Sequence, residues 1–263
     1  MIVKQLKIDS IINKITRNDT LFKGNYTVDI YQNCDFCCIY CDSSYDNMVY
    51  VKTNAVEIFE KELENLPKGR IIVGSVHDPY QSSEKIYMIT RKILETIQKH
   101  NLTCHVLTKS DLILRDIDIL RKINNCIVTI SIISLKNKNS NFFEKNVPSS
   151  KKRIEVVEKL NKNGIYSGVA IMPFLPFITE SEIQYIFEEA KKHNVNYILY
   201  KYLELKGDQK QIFFEKIKKF YPDIVEKYKE LYNDSYYPNT EYIKKIDSLI
   251  NNNSKKYNIK LKI

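Results

Sequence analysis

The sequence predicts an α/β fold organised around a parallel sheet. Two observations carry this. Between residues 26 and 205, six β-rich runs alternate with five runs of helical periodicity, which is the pattern of βαβ crossovers. The chain has 263 residues, 43% hydrophobic and 28% charged, enough for one large core or two small ones, and no linker-like or low-complexity stretch divides it. The expectation is one domain with a core over residues 1–205, including a short lead-in at 1–25, and a helical C-terminal extension over 206–263. Open doubly wound sheets and barrels both satisfy this pattern.

The elements follow in order. "YTVDIYQ" (26–32) is a strand by its β-branched and aromatic residues. "NAVEIFEKELENL" (54–66) places Val56, Phe59, Leu63 and Leu66 on one helical face. "RIIVGSV" (70–76) is a buried strand. "SSEKIYMITRKILETIQKH" (82–100) is a helix opened by a serine N-cap. "TCHVLTKS" (103–110) is a strand and "LILRDIDILRKI" (112–123) a helix. "CIVTISIISL" (126–135) is a strand, followed by the helix "SSKKRIEVVEKLNKNG" (149–164), which stops at a glycine. "IYSGVAIMPFLP" (165–176) is a strand. "TESEIQYIFEEAKKHN" (179–194) is a helix with Thr179 and Glu182 at capping-box spacing. "VNYILYKYLEL" (195–205) is the last strand. Residues 206–263 read as two helices joined by the tyrosine-rich turn "YNDSYYPN".

The net charge is +9, almost all from lysine. Such a balance suits a polyanionic partner such as nucleic acid. Lysines spread over solvated helix faces give the same count. Tyr221, Tyr228, Tyr232, Tyr236, Tyr237 and Tyr242 either stack on nucleobases or fill the core of a helical cap. No apolar stretch reaches membrane-spanning length, and "MIVKQLKIDS" lacks the apolar run of a signal peptide. The expectation is a cytoplasmic protein without a membrane partner. There, clustered cysteines suggest metal binding or catalysis before disulfides.

Four of the six cysteines fall within "CDFCCIYC" (34–41), directly after the first strand. In parallel α/β architectures chemistry sits beyond the C-terminal ends of the strands. Cys34, Cys38 and Cys41 form a C-x3-C-x2-C pattern, with Cys37 as a spare thiol. Structural zinc takes four ligands, commonly from two C-x2-C knuckles, and a four-cysteine iron–sulfur cluster has the same need. The remaining Cys104 and Cys126 stand isolated in predicted strands and read as buried apolar residues. Three cysteines in one loop can hold three irons of a [4Fe–4S] cube and leave the fourth open to a small molecule.

"CDFCCIYC" after a first strand resembles the radical S-adenosylmethionine (radical SAM) superfamily. "VDIYQNCDFCCIYC" is similar to the "NPY-x-GC-x3-C-x-YC" opening of the group named after spore photoproduct lyase and also labelled DNA repair photolyase. "VGSVHDPYQSSEKIYMITRKILE", "VLTKSDLILRDIDIL", "VTISIISL" and "GIYSGVAIMPFLPFITESE" resemble its later strand segments, so the likeness covers about residues 5–205. It implies a partial (β/α)6 TIM-type barrel. It further implies a [4Fe–4S] cluster on Cys34, Cys38 and Cys41, SAM on the open iron, and an electron donor such as flavodoxin or ferredoxin. The implied reaction cleaves SAM reductively to methionine and a 5′-deoxyadenosyl radical. The pattern departs at Asp29–Ile30, where Asn-Pro is usual, at Asn33 for Gly, and at Asp42 for Tyr. "GSVHDP" (74–79) also lacks the hydrogen-donating cysteine of true spore photoproduct lyases. The core chemistry is therefore expected, and repair of that lesion is not.

The resemblance implies that Tyr40, before the third cysteine, contacts adenine. It places Lys109, at the end of the third strand, against the SAM carboxylate; a surface lysine is the plain alternative. Ser75 can bond the SAM amino or carboxylate group or simply form a turn. His77 and Asp78, at the end of the second strand, are candidates for touching SAM or acting on substrate, and they suit a turn before Pro79 equally. Ser131 can face the SAM carboxylate or pack in the barrel, and Met172 with Pro173 can lie along adenine or in the core. Three function classes stay open: a SAM-cleaving enzyme of unknown substrate, a nucleic-acid-directed radical SAM lyase or modification enzyme, and a non-enzymatic zinc or iron–sulfur protein.

Overall fold

The computed structural model describes residues 1–41 and 47–263; Asp42 lies outside the described residues. The chain opens with β1 (Ile2–Leu6), β2 (Ile12–Lys14), β3 (Tyr26–Val28), β4 (Tyr31–Gln32) and β5 (Met48–Lys52), then α1 (Ala55–Leu63) and β6 (Arg70–Val73). Next come α2 (Glu84–Tyr87), α3 (Ile89–Lys99), β7 (Thr103–Thr108), a 3-10 turn over Asp111–Asp116, α4 (Ile117–Leu120) and β8 (Ile127–Ser131). α5 (Asn137–Phe143) and α6 (Ser150–Lys162) lead to β9 (Tyr166–Phe174), α7 (Ile183–Lys192) and β10 (Ile198–Tyr202). Three helices close the chain: α8 (Asp208–Lys218), α9 (Pro222–Tyr232) and α10 (Thr240–Tyr257).

One sheet has the order β10-β9-β8-β7-β6-β3-β2. Its strands from β3 to β10 are parallel and lie in sequence order, while β2 runs antiparallel on the outer edge of β3. β10 and β2 form the two ends and do not pair with each other. The arrangement is a partial (β/α)6 barrel, as the resemblance implied. All six predicted strands are present in shortened form. Burial explains their composition: β7 and β8 lie almost wholly inside, and a parallel strand covered on both faces reads as a near-continuous apolar run. Gly168 is required in β9, because a Cβ there would meet the Tyr197 carbonyl oxygen at 2.5 Å.

Several expectations are corrected. A second sheet, β1-β5-β4, was not expected; β4 has two residues and β1 is exposed along most of its length, so neither carries a clear apolar alternation. The helix expected over 82–100 breaks at Met88, which adopts φ +52. The buried Glu84 carboxylate causes this by accepting the amides of Thr90 (2.9 Å) and Arg91 (3.2 Å) at the start of α3. Ser83 occupies the N-cap of α2 without a side-chain capping bond. The helix expected over 112–123 is instead the 3-10 turn followed by α4.

The Thr179–Glu182 capping box does not form. Thr179 donates to the Ile133 carbonyl at 2.8 Å, and Glu182 accepts from Ser134, Leu135 and Asn139. Tertiary partners thus outcompete the local cap. The C-terminal part has three helices rather than two, because Pro222 starts a new one at its first position. Cys104 and Cys126 are buried but not isolated: their sulfurs lie 3.7 Å apart across β7 and the approach to β8. Tyr228 and Tyr232 are fully buried and stacked at 5.9 Å, and Tyr242 is also buried, so these rings fill the helical cap. Of this group, only Tyr236 and Tyr237 are exposed. Among the described residues no helix is long and apolar enough to cross a membrane.

Candidate active site

The cysteine loop follows β4 and lies over the C-terminal ends of the parallel strands. It is held from several sides. The Ile39 amide donates to the Phe143 carbonyl at 3.0 Å, and Asn146 donates to the Asp35 carbonyl at 2.9 Å. Gln81 accepts from the Asp35 amide at 3.2 Å and donates to the Asn33 carbonyl at 3.0 Å. Gln209, in α8, donates to the Tyr40 carbonyl. The loop itself uses a left-handed backbone at Asn33 and Cys37, and asparagine tolerates this better than most residues.

Of the residues the sequence offers for the cluster and SAM, all but Pro173 line one pocket of about 180 Å³. The loop supplies Cys34, Cys38, Cys41 and Tyr40; Cys37 lines it as well. The end of β6 supplies Ser75, His77 and Asp78, and β7 is continued by Lys109. Ser131 and Met172 come from β8 and β9. Gly74 permits the turn after β6: its φ is +83, and a Cβ would meet Pro79 Cδ at 2.3 Å and the Leu107 carbonyl at 2.8 Å.

The strand-end side chains have defined partners. Ser75 donates to Asp29 at 2.7 Å, and Asp29 also accepts the amides of Val76 (2.9 Å) and His77 (3.3 Å). Asp78 accepts from the Thr108 hydroxyl (2.6 Å) and from the amides of Lys109 (2.7 Å) and Tyr80 (2.9 Å). Burial raises the Asp78 carboxyl above its ordinary value despite these donors. Ser131 donates to the Met172 carbonyl at 3.0 Å across the two strands. The Tyr40 hydroxyl donates to Glu144, which is also gripped by Arg153.

Electrostatics divides the pocket. Burial pushes the Cys38 thiol up to about 12, with Lys109 opposing. Burial also raises Cys34, and Asp78 adds to it, while the amides of Phe36 and Asp78 favour its thiolate. Burial alone would lower Lys109, but the charges of Cys38, Glu144 and Asp78 outweigh it and hold the ammonium above its ordinary value. Among the described residues no three His, Cys, Asp or Glu side chains are gathered as a ready-made single-ion centre. What the described residues of the site offer is one buried thiol, Cys38, with half-buried thiols around it, beside the Lys109 ammonium.

Sequence reasoning missed Asp29, Glu144, Arg153 and Gln209. Asp29 carried a signal, since it replaces the usual asparagine of the opening motif. The other three look like ordinary solvated residues of helices or turns, and only the tertiary structure brings them to the loop.

Residues 28–190 match the profile of the Radical SAM superfamily. The chain belongs to that superfamily. An uncharacterized protein of Methanocaldococcus jannaschii is 30% identical over 263 residues, which covers 96% of this chain and 95% of that one. An uncharacterized protein of Mycobacterium bovis is 24% identical over 244 residues, 85% of this chain and 71% of its own. Spore photoproduct lyase complexed with dinucleoside spore photoproduct superposes with a TM-score of 0.68 at 15% identity, covering 92% of this chain and 76% of that one. This last likeness is one of fold. The protein is a radical SAM enzyme, with a [4Fe–4S] cluster and SAM as cofactors and a requirement for a reductant.

Proposed function

We propose that Cys34, Cys38 and Cys41 hold the [4Fe–4S] cluster, that SAM binds in the pocket beside them, and that the enzyme cleaves SAM reductively to act on a substrate not yet assigned. The observation that supports this is the sharing of one pocket by the three spaced thiols, Tyr40, the strand-end residues and the Lys109 ammonium. The donor set fits a cluster with one open iron: three thiols of one loop at C-x3-C-x2-C spacing, a fourth loop thiol, Cys37, outside that spacing, and Cys104 and Cys126 in contact with each other in the core. When bound, the cluster would supply the electron needed to break the C5′–S bond of SAM into methionine and a 5′-deoxyadenosyl radical.

The protein residues bind, orient and exclude water. Lys109 receives the SAM carboxylate. Among the described residues its ammonium makes no ion pair, although Asp78 and Glu144 lie near enough to keep it charged. Asp78 acts as an organiser: its oxygens are engaged by Thr108, Lys109 and Tyr80, which fixes the ends of β6 and β7 against each other. Ser75 is oriented by Asp29, and Ser131 by the Met172 carbonyl. Both hydroxyls keep lone pairs for the SAM amino group. Tyr40, held by Glu144, offers its ring to adenine.

Cysteine variants reconstituted without oxygen test the ligand assignment. Cys34→Ala, Cys38→Ala and Cys41→Ala should each lower iron and sulfide content and the broad thiolate–iron absorbance, while Cys37→Ala retains them. Loss of the cluster in Cys37→Ala with retention in Cys34→Ala would overturn the assignment. Zinc without iron or sulfide in the native protein would contradict the reading as a whole.

A nucleic-acid substrate is the second reading, supported by the net charge of +9 and the exposed Tyr236–Tyr237 pair. It predicts binding to DNA or RNA that weakens steeply with salt. Absence of such binding at low salt removes it.

A further inference from the structure

Lys109 lines one pocket with Tyr40 and Ser131, its amide is bonded to Asp78, and the charges of Glu144 and Asp78 act on its ammonium. Asp78 already accepts three hydrogen bonds. Glu144 is 2% exposed and would be a strong competitor for the lysine if nothing else neutralised it. Arg153, 1% exposed, reaches it from α6. One Arg153 nitrogen donates to Glu144 at 2.5 Å and to the Ser150 hydroxyl at 3.1 Å; the other donates to the Ser131 carbonyl at 2.6 Å. The opposite Glu144 oxygen takes the Tyr40 hydroxyl. A single guanidinium fork therefore joins the cysteine loop, through Tyr40, to the end of β8.

Resting on the reading of Lys109 given above, we propose that Arg153 is a positioning residue that reserves Lys109 for the SAM carboxylate by neutralising Glu144. The difference between the two cations makes this possible. Arginine has a rigid planar fork that satisfies a carboxylate and a carbonyl together, whereas lysine is a compact charge on a flexible stem. Without Arg153, the buried Glu144 carboxylate lacks its ion-pair partner, and Lys109 is a pocket cation on which its charge already acts. The SAM carboxylate then competes with a protein carboxylate for one ammonium. The same fork explains how Tyr40 and Ser131, from distant parts of the sequence, keep a fixed relation across the pocket.

SAM affinity of the anaerobically reconstituted protein, measured by titration calorimetry together with iron content and thermal midpoint, tests this. Arg153→Gln should weaken SAM binding about tenfold to a hundredfold at unchanged iron content. Adding Glu144→Gln removes the competitor and should restore affinity to within about threefold of the parent; because it also relieves an unpaired buried charge, the dependence on Lys109 separates the proposal from a merely structural role. Lys109→Ala combined with Arg153→Gln should be no weaker than Lys109→Ala alone. No rescue in the Arg153→Gln/Glu144→Gln protein, or additive losses with Lys109→Ala, would overturn the role of Arg153. Unaltered affinity in Lys109→Ala would instead contradict the reading of Lys109 itself. Should Arg153→Gln fail to fold, Arg153→Lys, which keeps a cation beside Glu144, decides: SAM binding within about threefold of the parent supports the proposal, and a loss of about tenfold or more at unchanged iron content contradicts it.

Discussion

The Ser75 hydroxyl donates to the Asp29 carboxylate at 2.7 Å, tying the turn after β6 to the residue that follows β3. Asp29 also holds the amides of Val76 and His77, so one side chain shapes the rim of the pocket. Asp29→Ala removes an acceptor from three donors, and Ser75→Ala removes one donor. Because Ser75 and Val76 are exposed, water replaces part of each bond. Asp29→Ala should cost about 1–3 kcal/mol and Ser75→Ala about 1 kcal/mol or less. Urea midpoints check this; a larger loss in Ser75→Ala contradicts the role given to Asp29.

Gly74 should tolerate no side chain. Its φ of +83 disfavours any L residue, and the modest bulk of a Cβ would overlap Pro79 and the Leu107 carbonyl. Gly74→Ala is expected to cost about 1–3 kcal/mol from the backbone conformation alone, with the overlap added, and to weaken SAM binding by displacing the turn that carries Ser75, His77 and Asp78. Full SAM affinity in a folded Gly74→Ala protein would show that this turn lies away from the cofactor.

His105 gives the fold a pH dependence. It is fully buried, bonded to the Phe22 carbonyl at 3.1 Å and to Thr129 at 2.6 Å. Burial lowers its pKa to about 4, with Arg70 also lowering it and the Phe22 carbonyl opposing. The unfolded chain takes up this proton near pH 6.5, while the folded chain resists it to about 4. The resulting stability is complete above about pH 6.5 and is lost as pH falls toward about 4, an effect of about 3 kcal/mol. Denaturant titrations at pH 7 and pH 4 should show a steeper loss for the parent than for His105→Gln. Equal losses would place the proton elsewhere.

The alternation of strands and helices was legible because apolar periodicity survives in each segment, and the cysteine loop because three thiols at that spacing are chemically conspicuous. The supports of the site were not. Glu144 follows an apolar pair in "NFFEKN" and Arg153 sits in "SKKRIEVV", where each reads as a solvated charge, yet they meet in the interior. Met88 breaks a helix that propensity would continue, because Glu84 captures the amides of Thr90 and Arg91. Thr179 and Glu182 have capping-box spacing, but their tertiary partners are stronger. Long-range hydrogen bonds between groups that look local in sequence account for most of what periodicity could not show.

The central claim is that this pocket performs reductive cleavage of SAM. Chromatography of the nucleoside products decides it most directly, using protein loaded with iron and sulfide, SAM and a strong reductant in the absence of oxygen. The account predicts 5′-deoxyadenosine together with methionine, formed slowly even without substrate and abolished in Cys34→Ala, Cys38→Ala and Cys41→Ala. No 5′-deoxyadenosine from a fully loaded, SAM-binding protein would contradict it.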